Sequence, residues 1–557
     1  MELIMRVGSS ILCSVLFCFP VIALAEVSPV DRNEIQQQQN LLLQQSDQQR
    51  DALRRLTPDT NVSASKPAET SGPCFIIRTI TLRGTSVLSR SVQQSLTEPW
   101  SGRCMTLADI NQLIHAVSNE YISRGFITSR AFIQPQDLSK GVLVLDILEG
   151  KLEKIELDHQ QPLMLKIVFP HLQGEILNLR DIEQGMEQIN RLSAYQVQID
   201  IQPGSATGYS IVQLTRQKRF PLLASVGIDN SGQKSTGENQ LFANLTADNL
   251  LRLADQWYIG GTNSLNYGTS HDANSFMAGV SLPYGYWTFN YDYSYNDYRN
   301  YFWNRSYQWR STGSTVTQRF GAQRVLFRNG QMKTALLMGV THREGENQLN
   351  ETRLDASSRQ VSSFTLGINH SQKLSGGLAT FNPAWTRGTT WFGAESDRGK
   401  SDDAPRAEFV KWSLASSYYH PITRSVSYLT SLYGQYSEDV LYGSEQMTLG
   451  GESSVRGFKE QYLSGNRGGY WRNEVSWQAF SASVLGDVSF TLALDGGWLS
   501  HDKRQPYSNG TLWGTSIGIA SANRWLSNQF TIGLPLAYPD SLAPDHLVFY
   551  YRVGVNF

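Results

Sequence analysis

The chain has 557 residues, too many for one ordinary core, so several domains are expected. Its 48 Lys+Arg balance 49 Asp+Glu, which argues against a nucleic-acid binder working through a basic field. Mean hydropathy is -0.33, and beyond the first 25 residues no apolar run reaches the ~20 that a transmembrane helix needs, so any membrane crossing is by strands.

Residues 1–25 have the form of a secretory signal: Arg6, then an apolar stretch from Ile11 to Leu24 that ends Ala23-Leu24-Ala25. Export would put the chain where disulfides form. Cys74 and Cys104 are the only cysteines outside that segment, so their pairing is unique. A bridge there is expected to tie a helix to a sheet. With no C-x-x-C and no histidine cluster, neither a metal nor a redox dithiol is expected.

Residues 26–56 are rich in Gln and good helix formers, with a helix expected from Glu34 to Leu56. Its apolar content is too thin for a globular core element. A frayed tail and a helix seated in a wet lumen both fit. Residues 57–72 have linker composition.

Residues 73–150 read as a small α/β domain. Strands are expected at Phe75 to Leu82, Phe126 to Ile133 and Leu143 to Leu148, and helices at Ser89 to Leu96 and Leu107 to Arg124. The second helix carries one apolar stripe, Leu107, Ile110, Leu113, Ile114, Val117 and Tyr121. Residues 151–218 repeat the theme, with a strand around Ile155-Glu156-Leu157, a helix from Arg180 to Leu192, and strands Gln196 to Ile201 and Ser210 to Thr215. Sheet edges in such domains can pair with an extended polypeptide.

From Arg219 to Phe557, runs of about ten residues alternate polar and apolar between turns. In Tyr286 to Asn296 one parity carries Trp287, Phe289, Tyr291, Tyr293 and Tyr295, and the other Thr288, Asn290, Asp292, Ser294 and Asn296. The last strand repeats this, with Phe549, Tyr551, Val553, Val555 and Phe557 on one face. Period two puts the parities on opposite faces. One greasy and one polar face fit a transmembrane β-barrel, with lipid outside and a polar lumen. At roughly 20 residues per strand and turn, residues 219–557 suit about 16 strands. The barrel must close, since an open edge in hydrocarbon leaves backbone groups unsatisfied.

A longer loop lies between strands near Tyr428 to Tyr436 and Tyr470 to Ala479. It carries Leu449, Gly450, Gly451, Val455, Arg456, Gly457 and Phe458, apolar enough to fold back against something. A lumenal Arg456 needs a carboxylate. In Val488 to Asp495, parity puts Val488, Phe490, Leu492 and Leu494 on the lipid face and Ser489, Thr491, Ala493 and Asp495 on the lumen face. An Arg456–Asp495 pair would pin the loop inside, while an ordinary surface arginine and pore-lining acid also fit. No catalytic constellation or phosphate loop is present, so the chain is read as neither an enzyme nor a cofactor protein.

The whole mature chain resembles the outer-membrane transporters of two-partner secretion, the TpsB family of the Omp85 superfamily. The resemblance rests on several motifs together: Arg124-Gly125-Phe126-Ile127, Arg180-Asp181-Ile182-Glu183-Gln184-Gly185, Asp229-Asn230-Ser231-Gly232, Val455-Arg456-Gly457-Phe458 and Arg472-Asn473-Glu474. In kind it is similar to haemolysin and filamentous-haemagglutinin secretion proteins and to CdiB-type transporters. The resemblance implies a 16-stranded antiparallel barrel preceded by two POTRA domains, with residues 26–56 as a helix plugging the lumen. It also implies that Arg456 pairs with the aspartate of a Phe-x-Asp-x-Gly motif, here Asp495 with Gly497, and that Ala493 departs from the motif at the Phe position. The implied partner is one large TpsA-type exoprotein, CdiA-type among the possibilities, contacting the POTRA domains and passing through the lumen. The implied location is the outer membrane of a Gram-negative cell, with lipid around a monomeric barrel and the POTRA domains in the periplasm. A general outer-membrane assembly factor is the competing expectation. The N-terminal helix and the count of two small domains favour secretion.

Overall fold

A computed structural model describes residues 28–54, 73–265, 271–304, 306–355, 357–504 and 509–557. The expected signal at 1–25 and linker at 57–72 lie outside the described residues.

The C-terminal half is a closed barrel. Sixteen antiparallel strands run from Leu222–Asp229 to Val548–Asn556, with Thr352–Arg353 as a two-residue addition at one hairpin tip. The first and last strands close the ring over a short register, Arg552 opposite Asp229 through Asn556 opposite Ser225. Alternation sorts side chains as period two requires. In Gly486–Leu499, Leu492 and Leu494 are 58% and 45% exposed to the outside, while Asp495 is 0% exposed. Val488, expected on the lipid face with them, is buried, beside a register shift between Gln478 and Phe480 on the neighbouring strand.

The first small domain departs from expectation in detail. Phe75 to Leu82 is not one strand. It breaks at Arg78 into Phe75–Ile77, which pairs with Arg103–Met105, and Thr79–Arg83, which pairs in parallel with Val142–Leu148. The Cys74–Cys104 disulfide is formed, and it joins the two short strands rather than a helix to a sheet. The expected strand Phe126 to Ile133 is reduced to Arg130–Phe132. Helix α1 is Pro29–Arg54, helix α2 is Arg90–Thr97, and helix α3 is Leu107–Ser123. Ile110, Leu113, Val117 and Tyr121 are fully buried, but Leu107 is 70% exposed. It is the first residue after the Thr106 cap, where the chain is still turning into the helix; Thr106 and Asp109 form a capping box.

The second small domain pairs Lys151–Leu157 in parallel with Tyr209–Lys218, and Tyr195–Pro203 antiparallel with the latter. Two helices cover it, α4 at Leu163–Val168, which the sequence reading missed, and α5 at Leu179–Asn190. The two small domains join where the Leu179 N–H donates to the Gly125 carbonyl at 2.8 Å. Ala254, from a barrel turn, is buried within the second domain's core. Helix α5 is bonded to that end of the barrel: Tyr286 donates to Asp181 at 2.5 Å, Arg328 to Gln184 at 2.6 Å and to Glu187 at 3.1 Å, and Lys333 pairs with Glu187. The second domain is thus held against the barrel by a shared core and several polar contacts.

Candidate functional site

The site is the lumen, and three elements meet there: the wall, the loop 437–467, and α1. The loop begins where strand Val426–Tyr436 ends and returns into strand Gly468–Ala482. It does not stay outside. Met447–Leu449 pairs with Leu463–Gly465 as a two-stranded sheet, which satisfies backbone groups the descent would leave unpaired. Met447, Leu449, Val455 and Phe458 are all within 2% of full burial and pack with Leu499, Leu512 and Tyr470 of the wall. Burying such side chains contributes about 1.5–3 kcal/mol each.

Arg456 stands at the tip of this descent. Its Nε donates to Asp495 Oδ2 at 2.6 Å and its Nη2 to Asp495 Oδ1 at 2.6 Å, while its own backbone N–H donates to Oδ2 at 3.1 Å. One carboxylate therefore holds both the side chain and the main chain of the loop. The bidentate fork is the geometry that guanidinium and carboxylate share. At the position of the family's Phe, Ala493 is buried and lies opposite Glu474 in the strand register. The Glu474 carboxylate lies 3.2 Å from Arg456 Nη1 and 2.9 Å from Arg472 Nη2. A second acid, not an aromatic ring, thus joins the pair at that level.

The flanking residues of the signature each have a job in the seat. Gly457 adopts φ +104°, and a Cβ there would lie 2.6 Å from the Leu534 carbonyl. The wall itself is cut back to admit the loop backbone: a Cβ on Gly514 would lie 1.8 Å from the Arg456 carbonyl oxygen. Phe458 packs edge-on to Tyr538 at 6.1 Å, and Tyr550 donates to the Phe458 carbonyl at 3.1 Å. Val455 touches the wall at Gly497.

Helix α1 runs through the lumen. Twenty-six residues at 1.5 Å each span about 39 Å, enough to cross the hydrocarbon core. It starts five residues earlier than expected. Its seated face is a helical stripe, Ile35, Gln39, Ser46, Arg50 and Leu53, all buried. At the loop end, Gln39 Nε2 donates to the Thr448 carbonyl at 3.0 Å, Ser453 donates to Gln39 at 2.8 Å, and Arg32 donates to the Lys459 carbonyl and lies over the Tyr462 ring. At the other end, Arg50 donates to Ser417 at 2.7 Å, Gln49 bonds Asn382 at 3.3 Å, and Leu53 packs on Leu378. Also near the loop end, Glu34, 1% exposed, accepts from Thr317 at 3.0 Å, Arg319 at 3.0 Å and Arg343 at 2.7 Å. Arg343 also reaches Glu445 of the loop at 3.1 Å, and Lys411 reaches Glu445 at 2.6 Å. One buried charge network therefore links helix, wall and loop. None of Glu34, Arg319, Arg343, Lys411 and Glu445 was singled out from sequence. Glu445 is the one with a local signal, since it lies in the loop that the apolar residues mark.

The family model described as haemolysin secretion/activation protein ShlB/FhaC/HecB matches residues 208–521. A ShlB-type POTRA domain model matches 75–150, and a second POTRA domain model matches 151–203. The chain is 54% identical over 533 residues to the outer membrane transporter CdiB of Dickeya dadantii, covering 96% of both. Among solved structures it is similar to CdiB from Escherichia coli, with TM-score 0.93 and 51% identity over 96% of this chain and 100% of that one. It is similar also to CdiB from Acinetobacter baumannii, with TM-score 0.79 and 25% identity over 95% and 99%.

Proposed function

Because this chain belongs to the haemolysin secretion/activation protein family ShlB/FhaC/HecB and is an outer-membrane translocator for a TpsA-type exoprotein, we propose that its cargo is a CdiA-type exoprotein of contact-dependent growth inhibition, and that the arrangement described above is its resting state. The chain is a transport channel in the outer membrane, with POTRA domains in the periplasm. In this reading residues 73–150 and 151–218 receive the unfolded exoprotein, and residues 219–557 conduct it.

Helix α1 is the plug and the Arg456–Asp495 pair is the lock on the loop. The observation that carries this is the network of Glu34, Arg343 and Glu445, which joins plug to loop through the wall. Release of either element weakens the seat of the other. An extended polypeptide is narrow and has its own backbone to satisfy, and a lumen of polar side chains supplies partners on all sides. ATP is not available outside the inner membrane. Export then draws on the folding of a β-helical exoprotein outside, which builds by stacking neighbours without long-range closure.

The test is to co-express the transporter with a CdiA-type exoprotein and measure exoprotein at the cell surface, with wild type and Arg456→Ala in parallel. Wild type delivers it and Arg456→Ala delivers at least tenfold less at equal barrel level. Equal delivery by both would remove the lock from the mechanism. Delivery of a haemolysin-type but not a CdiA-type exoprotein would reassign the cargo.

A further inference from the structure

Helix α1 does not fill the lumen. Its first half reaches Thr317, Arg319 and Arg343, and its second half lies against the strands Gly377–Thr389 and Val410–Pro421, through Asn382, Ser417 and Leu378. Away from that wall a cavity of about 1530 Å³ remains between α1 and the first strands of the barrel. That exceeds the ~300–1,000 Å³ of a small-molecule pocket. It begins beside α5 of the second POTRA domain, at Glu183, Met186 and Asn190, and ends beneath the inward loop at Asp229, Glu452 and Arg552.

Its two sides are chemically alike. The α1 side offers Gln44 and Gln48, which face open space. The wall side offers Asn244, Asn290 and Ser294, while Asn274 is taken up by Asn263 and Asp297. The nearby ions Asp292 and Arg319 are already engaged, by the Tyr258 hydroxyl at 2.7 Å and by Glu34. A carboxamide both donates and accepts, which matches what each residue of an extended main chain presents, one N–H and one C=O. Amides on both sides therefore favour a polypeptide backbone without regard to its sequence. At ~3.3 Å per residue, about eight extended residues cover the ~25 Å height of a barrel's apolar band.

We propose that this cavity is a loading site, which takes an extended segment of the exoprotein beside α1 while α1 is still seated and the loop still closes the outer end. The idea rests on the translocation reading above and adds an order to it: loading precedes plug release. The loop is the barrier at that stage. Glu452 at its underside is held by Arg472 on its carbonyl at 3.0 Å and by Gln529 on its carboxylate at 3.3 Å.

The experiment uses the full chain and an exoprotein that the unlocked transporter carries to the surface. Helix α1 is locked by joining Gln49→Cys to Asn382→Cys with a short thiol crosslinker. A photo-crosslinking residue is placed at Asn290 or Asn244 in the cavity wall, or at Ser417 under α1. With α1 locked, delivery stops, crosslinks to exoprotein at Asn290 and Asn244 stay within about twofold of the unlocked protein, and Ser417 gives none. A tenfold loss at both cavity positions on locking overturns the proposal and leaves translocation itself intact. Delivery by the unlocked protein with no crosslink at any of the three positions would instead refute passage through the lumen.

Discussion

Removing the Arg456 side chain is the perturbation whose size the structure sets most directly. Arg456→Ala leaves Asp495 at 0% exposure with only the loop's backbone N–H for company. Orphaning one member of a buried pair costs about 3–5 kcal/mol. Against this stand Leu449, Val455 and Phe458, all fully buried, at about 1.5–3 kcal/mol each. The apolar seat is the larger sum, so the loop stays down most of the time, but its opening equilibrium rises by roughly 10²–10³-fold or more. Ser453→Cys, at a position 4% exposed, reports this. Its labelling on intact cells by a membrane-impermeant maleimide should rise by at least two orders of magnitude when Arg456→Ala is added. Asp495→Ala should do the same, and the double variant should label no faster than either single, since neither then buries a lone charge. Labelling rates equal to the parent in both single variants would refute the assignment of the pair as the clamp. Arg456→Lys should fall between, because an ammonium cannot make the two-pronged contact.

Three further outcomes follow from the same contacts. Deleting residues 31–56 should raise single-channel conductance in planar bilayers, as it removes α1 from the lumen; unchanged conductance would show that some other element closes the pore. Glu34→Gln removes charge-assisted bonds to Arg319 and Arg343, worth about 1.5–3 kcal/mol for such a bond, so the fraction of time open should rise at least tenfold in the same recording. In the first POTRA domain, partial burial pushes the Glu149 carboxyl up, but the Ser86 hydroxyl and N–H, the Tyr121 hydroxyl and the Val87 N–H hold it below its ordinary value. A depressed carboxyl stabilises the fold above its unfolded pKa and loses that contribution as pH falls through the folded one. Glu149→Gln should therefore lower the melting temperature of the periplasmic arm at pH 7, and the difference from wild type should shrink towards zero below about pH 4.

Barrel, loop and ion pair were legible for different reasons. Strand alternation is a local signal, written every second residue and read against lipid on one side and water on the other, and it misleads where the register shifts, as at Val488. Parity put Asp495 inward and made it a candidate partner for Arg456 without excluding an ordinary pore-lining acid; resemblance to the family favoured the pair. The break at Arg78 was not legible, because Phe75 to Leu82 is continuous in β-formers and only pairing with two different partners divides it.

What the sequence by itself determined was period and polarity: a signal-like start, two small α/β stretches, a ring of amphipathic strands, and a loop too apolar to stay outside. What only the tertiary structure decided was which polar group meets which. Helix α1 has buried Gln39, Ser46 and Arg50 on one face and exposed Gln44 and Gln48 on another, so its two faces look alike to any hydropathy argument. Glu34 and Arg343 are 309 positions apart, and Gly514 is empty because the Arg456 carbonyl needs its space. Apolar side chains announce burial wherever they stand. Polar side chains take their meaning from partners, and partners at such separations leave no periodic trace along the chain.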